Sequence, residues 1–297
     1  MNLHGRHPRT NMGDITELFG RSRDAYYKHS ADKLKTRKLN EKFIVETVKK
    51  IRQEAPMIGG YKLFLILSSL YPDVMIGRDS FYNLLHKHGL MLKPAKRRHT
   101  TDSNHHFHKW KNLIKGYVPT APRQLFVADI TYIETEEGVC YLHLVTDAYT
   151  HEIVGWTLSS SLHASHTLDA LQYAVASSQG YDLTLLIHHS DRGIQYCCNA
   201  YVDYLQGLGA RISMTEDYKP TDNAIAERVN GILKTEWLYA KPRPLNMEDA
   251  RRLLSDAIEF YNTKRPHMSI DMKSPREMRI EYEKKHFHHD NKSVAEQ

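Results

Sequence analysis

The run Leu125-Phe126-Val127-Ala128-Asp129-Ile130-Thr131-Tyr132-Ile133 limits the fold more than any other stretch of this chain. Its β-branched and aromatic content predicts a strand, yet a carboxylate stands at its centre, where an acid is costly unless paired or bound to a cation. Two similar segments follow, Val139 to Thr146 and His151 to Leu158, separated by Glu136-Glu137-Gly138 and Asp147-Ala148-Tyr149-Thr150. Consecutive strands joined by such short connections imply an antiparallel meander. A helix is expected around Leu168, Leu171 and Val175, then a buried strand from Leu183 to Ile187. A helix through Tyr201, Tyr204, Leu205 and Leu208 leads to a short strand at Arg211 to Met214. Meander, helix, strand, helix, strand, helices: this order predicts an α/β mixed sheet with helices on its faces.

Two helices are expected to close the chain. In the first, beginning near Asp222, Ile225, Val229 and Ile232 gather on one side at 100° per residue, with Asn223, Glu227, Asn230 and Lys234 opposite. In the second, Asn246 is a candidate N-cap, and Ala250, Leu253, Leu254, Ala257, Ile258 and Tyr261 keep three-four spacing. The tail beyond about Lys284 is polar and expected to fray.

Before the sheet, residues 40–89 read as helical. Ile44, Val48 and Ile51 follow the helix period, as do Leu63, Leu67 and Leu70 after the break at Gly59-Gly60. A third short helix, capped by Asp79 or Ser80, places Phe81, Leu84, Leu85 and His88 on one side and stops at Gly89. Three such helices suit a helix-turn-helix with Arg78 and Tyr82 near DNA, and suit any small packing module equally. The expected divisions are an N-terminal segment (1–39), this helical domain (40–92), a basic linker (93–122), the sheet-containing core (123–282) and a polar tail (283–297). The linker holds Lys93, Lys96, Arg97, Arg98, Lys109, Lys111 and Lys115 against Asp102, interleaved with Phe107, Trp110 and Tyr117. That mixture suits phosphate and base contact, although a solvated charge run has the same composition. His105, His106 and His108 lack the Cys-x-x-Cys partner of a zinc finger.

Lys and Arg outnumber Asp and Glu by 41 to 35, a formal charge of +6 that favours polyanionic partners and serves solubility alike. Three cysteines, two of them adjacent (Cys197, Cys198), offer no disulfide framework and point to a reducing compartment. No apolar run approaches the ~18 residues of a membrane span, and MNLHGRHPRT is not a signal peptide. A cytoplasmic protein is expected.

Three acids have positions that invite chemistry. Asp129 interrupts its strand. Asp191 follows a buried strand directly, at the carboxyl end where open α/β sheets bind ligands. Glu227 shares a helix face with Lys234. Each has an ordinary alternative: a hydrogen-bonded structural acid, a turn residue before Gly193, and a solvated helix face. Brought together, three carboxylates repel, and hard divalent cations relieve that repulsion. Two ions about 4 Å apart would activate an attacking oxygen and stabilise a leaving oxygen at a phosphodiester.

These residues resemble those of the DDE transposases of bacterial insertion sequences, specifically the catalytic reading frame of the IS-three family within the retroviral-integrase-like group. The resemblance covers roughly residues 16–280. Between Asp129 and Asp191 lie 61 residues, and between Asp191 and Glu227 lie 35, the family's interval. Asp129-Ile130-Thr131-Tyr132, His189-Ser190-Asp191 with Gly193 and Tyr196, and Asp222-Asn223-Ala224 before Glu227 match its motifs. Lys234, Tyr261-Asn262, Arg265-Pro266-His267 and Pro275 match its later positions, and Gly60-Tyr61 through Gly89-Leu90 resemble its small helical domain. Phe126 replaces a usual Trp, Ile270 a usual Leu, and the stretch Glu216-Asp217-Tyr218-Lys219-Pro220 lacks the customary glycine. These differences bear on loop shape and DNA-end preference.

The resemblance implies a ribonuclease H-like mixed five-stranded sheet flanked by helices, preceded by a small all-α helix-turn-helix-like domain. It implies that Asp129, Asp191 and Glu227 bind Mg²⁺, with Mn²⁺ as a substitute and two ions per site. The reaction would be cutting at the element's ends and joining of the freed 3′-hydroxyl to another phosphodiester. Candidate DNA contacts are Lys234, Asn223, Arg228, Lys96, Arg97, Arg98, Arg78 and Tyr82. Implied partners are the terminal inverted repeats, target DNA, further copies of the chain, and an upstream reading-frame product joined by fusion. In bacteria the protein would be cytoplasmic, and nucleoid-associated when bound. A structure-selective nuclease on the same fold and a non-catalytic DNA-binding regulator are the alternatives.

Overall fold

The computed structural model describes residues 31–92, 106–216 and 223–286, together with residues 11, 14, 17 and 20. The described residues fall into two compact units, one within Met1–Ile51 and Leu63–Met91, the other within Arg52–Lys62 and Leu92–Gln297. Lys96, Arg97, Arg98 and His105 lie outside the described residues.

In the first unit, the three expected helices are α1 (Ala31–Glu54), α2 (Gly60–Leu70) and α3 (Arg78–Lys87). Ile44, Val48, Leu63, Leu67, Phe81, Leu84 and Leu85 are buried, as their periods predict. Two details differ. The N-cap of α3 is Gly77, with no side-chain bond, because the helix starts at Arg78 and draws Asp79 and Ser80 into its first turn. His88 is exposed at the C-cap, and Gly89 follows with φ +64°, the left-handed conformation that stops the helix.

The second unit is built on one five-stranded sheet: β1 (Leu125–Thr135), β2 (Gly138–Asp147), β3 (Ile153–Ser159), β4 (Ile187–Ser190) and β5 (Arg211–Met214), in the order β3-β2-β1-β4-β5. β1 to β3 form the antiparallel meander, while β4 and β5 are parallel to β1. Helices α4 (Ala164–Ala176), α5 (Ile194–Cys197) and α6 (Asn199–Gly207) contribute to a core with Phe126, Ala128, Val145, Leu171, Tyr201 and Ile212. Leu125, Val127 and Ile187 pack instead with Ala226 of α7 (Ala224–Glu236). The residues of β1 alternate between these two clusters, so the central strand is covered on both faces.

β4 corrects the expectation of a strand from Leu183 to Ile187. Leu185 is 68% exposed, and the strand begins at Ile187 and continues through His188, His189 and Ser190, all buried. Buried imidazoles are tolerated because hydroxyls meet them: His188 Nε2 lies 2.8 Å from Tyr201 Oη, and His189 Nδ1 lies 2.8 Å from Ser213 Oγ. Ser213 Oγ also accepts from the Leu113 amide at 2.8 Å, and the Met214 amide donates to the Lys111 carbonyl at 3.4 Å. The second half of the basic stretch therefore runs along β5, with Trp110, Ile114 and Tyr117 packed on the core.

Three helices, rather than two, follow the sheet: α7, α8 (Met247–Thr263) and α9 (Pro275–His286). Asn246 caps α8, its side chain accepting from the Asp249 amide at 3.0 Å. Asn262 of α8 clasps the edge strand β3, exchanging two hydrogen bonds of 2.9 Å with the backbone of Ile153. α9 is too polar for its period to be read, and polar contacts anchor it: Arg279 pairs with Glu152 at 3.0 Å, and the Tyr181 hydroxyl donates to Glu283 at 2.9 Å. Among the described residues, no helix is long and apolar enough to cross a membrane.

The closest approach in the unit is at Gly155 of β3. A Cβ there would fall on the Ala170 carbonyl and lie 2.6 Å from the Ala174 amide of α4. Overpacking of this kind costs about 1–3 kcal/mol. Gly155→Ala is expected to lower the urea midpoint of the sheet unit, followed by tryptophan fluorescence, whereas Gly207→Ala, with open space around it, leaves it in place.

Candidate active site

β1 and β4 are paired in parallel, with Leu125 opposite Ile187, Phe126 opposite His188 and Val127 opposite His189. Two residues further in that register, Asp129 stands beside Asp191, the residue that follows β4. Asp191 Oδ1 accepts from the Gly193 amide at 2.9 Å, closing a turn. A Cβ on Gly193 would sit 2.9 Å from that same oxygen, so glycine lets the turn close.

α7 brings the third acid. Asn230 Nδ2 donates to Asp129 Oδ2 at 2.7 Å, and Asn223 Nδ2 donates to the Ala128 carbonyl at 3.0 Å. The helix is thereby stitched to β1, and Glu227 lies one turn before Asn230, in an exposed position. Asn223 and Asn230 were grouped with Glu227 on a polar face; both are buried against the strand, whereas Ile225 and Ile232 are only half-buried. A side-chain amide reaches a backbone carbonyl or a carboxylate without losing its hydrogen bonds, which is why asparagine serves there.

The electrostatics follow from this packing. Burial, then the charge of Asp191 and, more weakly, that of Glu227, push the Asp129 carboxyl from 3.8 up to about 7. Hydrogen bonds from Asn230 and from the Ile130 amide, 2.9 Å from Oδ1, oppose that rise. Tyr196, 2% exposed, lies within the fields of Asp191 and Asp129, and burial above all keeps its phenol protonated. Lys234 Nζ sits 4.3 Å from the centre of the Tyr132 ring. Burial lowers the Lys234 ammonium, and the charges of Asp129 and Glu134 resist that shift.

Among the described residues, no three His, Cys, Asp or Glu side chains converge closely enough to hold a metal ion. Asp129 and Asp191 are engaged by donors from the protein, and Glu227 is exposed. The chemistry of the set nevertheless suits a hard cation: Asp129 lies in the fields of two further carboxylates and is held near neutrality by burial and repulsion.

The other candidate contacts are dispersed. The charge of Arg228 of α7 acts on Lys62, His151, Tyr261 and His267. Arg78 and Tyr82 belong to the helical unit, where Arg78 pairs with Asp79 at 3.3 Å. Lys62 and Arg265 clasp the buried Glu236 at the end of α7, at 3.2 Å and 2.7 Å. The Trp237 indole donates to the Glu54 carbonyl at 2.6 Å. These contacts fix the far end of the helix that bears Glu227.

Two family models described as the integrase core domain match the chain, at residues 119–220 and 208–275. The chain is 33% identical over 272 residues to the insertion element IS600 uncharacterized 31 kDa protein of Shigella sonnei, covering 90% of this chain and 98% of that one. It is 32% identical over 159 residues to transposase InsF for insertion sequence IS3A of Escherichia coli, covering 53% of this chain and 54% of that protein. The chain belongs to the IS3-like DDE transposases. Its fold is also similar to the catalytic core domain of BIV integrase, at 21% identity and a TM-score of 0.42, covering 56% of this chain and 99% of that one.

In this transposase, the sequence gives Asn230 no role beyond a place on a polar face, and Tyr132 none beyond its place in the Asp129-Ile130-Thr131-Tyr132 motif. The signal for Asn230 was available, because one helical turn separates it from Glu227. Tyr132 could not be tied to Lys234 from spacing, since 101 residues lie between them.

The raised carboxyl of Asp129 has a measurable consequence in cation-free protein. A folded-state value of about 7 against an ordinary 3.8 means that ionisation opposes folding. The cost is absent below about pH 4, where the group is protonated in both states, and is complete above about pH 7. Asp129→Asn should therefore stabilise the chain in EDTA at pH 8, on the order of 1–3 kcal/mol, with the gain shrinking towards pH 4. Equal gains in urea titrations at both ends would contradict this electrostatic account.

Proposed function

We propose that Asp129, Asp191 and Glu227 are the catalytic acids of DNA cleavage and strand transfer at the ends of an insertion sequence. The observation that carries this reading is the juxtaposition of Asp129 with Asp191 across the β1–β4 register, with Asn230 tying the helix of Glu227 to Asp129. Mg²⁺ or Mn²⁺, two ions per site, would when bound polarise the reacting phosphodiester, activate the attacking oxygen and steady the leaving one.

The chain's own groups prepare that chemistry. Asn230 holds one Asp129 oxygen and the Ile130 amide the other, fixing the carboxylate plane. Glu227, exposed and one turn from Asn230, would be the third carboxylate to hold the ions. Lys234 holds a backbone phosphate as a point charge beside the acids. In the first step water displaces the 3′ oxygen of the bond at the element's end, leaving a free 3′-hydroxyl. In the second, that hydroxyl attacks a target phosphodiester, and the target's own 3′ oxygen departs. Two ends must be joined together, so the working form is a multimer on DNA, with target DNA as the second substrate. The upstream reading-frame product, fused to this chain, is a further partner. Arg78 and Tyr82 of the helical unit, and Lys96, Arg97 and Arg98, add contacts that position the terminal repeats. The site of action is the bacterial cytoplasm, at the nucleoid.

The test uses supercoiled plasmid, the element's end sequences and Mg²⁺. Wild type is expected to give joined products, and Asp129→Asn, Asp191→Asn and Glu227→Gln each to lower joining by more than about a hundredfold while still binding DNA. Nicks without joining would assign a nuclease instead. Full activity in Asp191→Asn would remove the acids from the mechanism and leave a DNA-binding regulator.

A further inference from the structure

β4 pairs with β1 only as far as Val127 opposite His189, whereas β1 runs on to Thr135 with β2 alone on its other side. Along that unpaired edge lies a cleft of about 270 Å³, lined by Tyr132, Glu134, Lys234, Tyr239, Lys241 and Arg243. Its walls are fixed. Tyr239 lies in a 3₁₀ turn, Leu238–Ala240, directly after the anchored Trp237. The carbonyls of Pro244 and Leu245 accept from the amides of Glu136 and Glu137 at 2.9 and 3.1 Å, and Arg243 pairs with Glu134 at 2.6 Å.

Three cations face one carboxylate, and two aromatic rings are open to solvent, Tyr239 at 65% and Tyr132 at 40%. The Tyr132 ring is already taken on one face by Lys234, at 4.3 Å. The Tyr239 ring adds nothing to the core, and an exposed ring among cations is the pattern by which proteins hold a base and its phosphate. The size suits one nucleotide rather than a duplex. Tyr132 is three residues along the strand from Asp129, about 10 Å at 3.4 Å per residue, which is roughly three base steps in DNA.

We infer that this cleft holds an unpaired nucleotide within about three positions of the scissile phosphate, its base stacked on Tyr239 and its backbone phosphate between Lys241 and Arg243. The inference deepens the reading of the acids as a DNA-cleaving site and rests on it. An end that is frayed at the point of cutting exposes such a nucleotide, and its capture would hold the strand open beside Asp129.

The experiment measures fluorescence anisotropy of the full chain with a labelled blunt duplex, and with the same duplex carrying three unpaired nucleotides at one end. Working in EDTA separates it from catalysis. The unpaired end is expected to tighten binding about tenfold, equivalent to 1.4 kcal/mol. Tyr239→Ala should remove that gain and leave blunt-duplex binding unchanged, while Tyr239→Phe retains it. Lys241→Ala and Arg243→Ala should weaken both probes and shallow the salt dependence by about 0.7–0.9 each. Equal affinity of wild type for the two probes, no binding to either, or a gain that survives in Tyr239→Ala overturns the inference. Loss of cleavage in the plasmid assay with the stacking gain intact would instead count against the catalytic reading alone.

Discussion

The sheet is organised around one acid on its central strand. β1 is covered on both faces, and beside Asp129 that cover excludes enough water to hold the carboxyl near 7. An ionised group in such a position needs hydrogen-bond donors, an opposite charge, or both. The donors come from α7 and from the strand's own next amide, so the position of α7 is part of the site. That position is set far from the acids, where Glu236 is gripped by Arg265 and Lys62 and Trp237 by the Glu54 carbonyl. A segment remote in sequence, residues 52–62, thus belongs to the framework of the catalytic unit.

Gathering like charges opposes folding, and the fold offsets it elsewhere. Asp147 accepts from the Arg123 amide at 2.6 Å and from Thr150, while Arg123 and Arg279 share Glu152. These acids are of the same chemical type and more deeply buried, and each faces a guanidinium or a set of N–H donors. The contrast is in the charges nearby: Asp147 is held by donors and lies beside the Arg123 guanidinium, whereas Asp129, with donors from Asn230 and the Ile130 amide, lies in the fields of Asp191 and Glu227. Repulsion of this kind is relieved when a divalent cation binds, so part of that ion's binding free energy is relief of repulsion.

Much of this was legible in the chain. The meander followed from three β-branched segments with short connections, and α4, α6 and α8 from three-four spacing, because burial imposes those periods directly. The placement of Asp129 near Asp191 was legible for a different reason, since position in a strand or just after one does not depend on hydrophobicity. Failures arose where polar residues are buried in pairs. His188 and His189 read as the end of a strand and are its body, because the hydroxyls that satisfy them come from Tyr201 and Ser213. Asn230 and Asn223 read as solvated and are buried for the same reason. α9 has few apolar residues to show a period, and the segment around Trp110 is masked by its lysines. In each case the missing information was a partner distant in sequence, which no local pattern contains.

The brevity of β4 joins the fold to its chemistry. An exposed strand edge presents unpaired amides and carbonyls and invites association with other chains. Here the edge of β1 beyond Ala128 is overlaid by side chains of α7: Asn223 occupies the Ala128 carbonyl, and Lys234 reaches the Tyr132 ring. A fully paired strand in that place would protect the edge equally well and would also wall off the acids. A cover of amide and ammonium groups blocks pairing by another strand, yet leaves an approach that a phosphate backbone can follow towards Asp129. The same four-residue strand that positions Asp191 therefore also leaves the edge of β1 beside Asp129 free of a pairing strand.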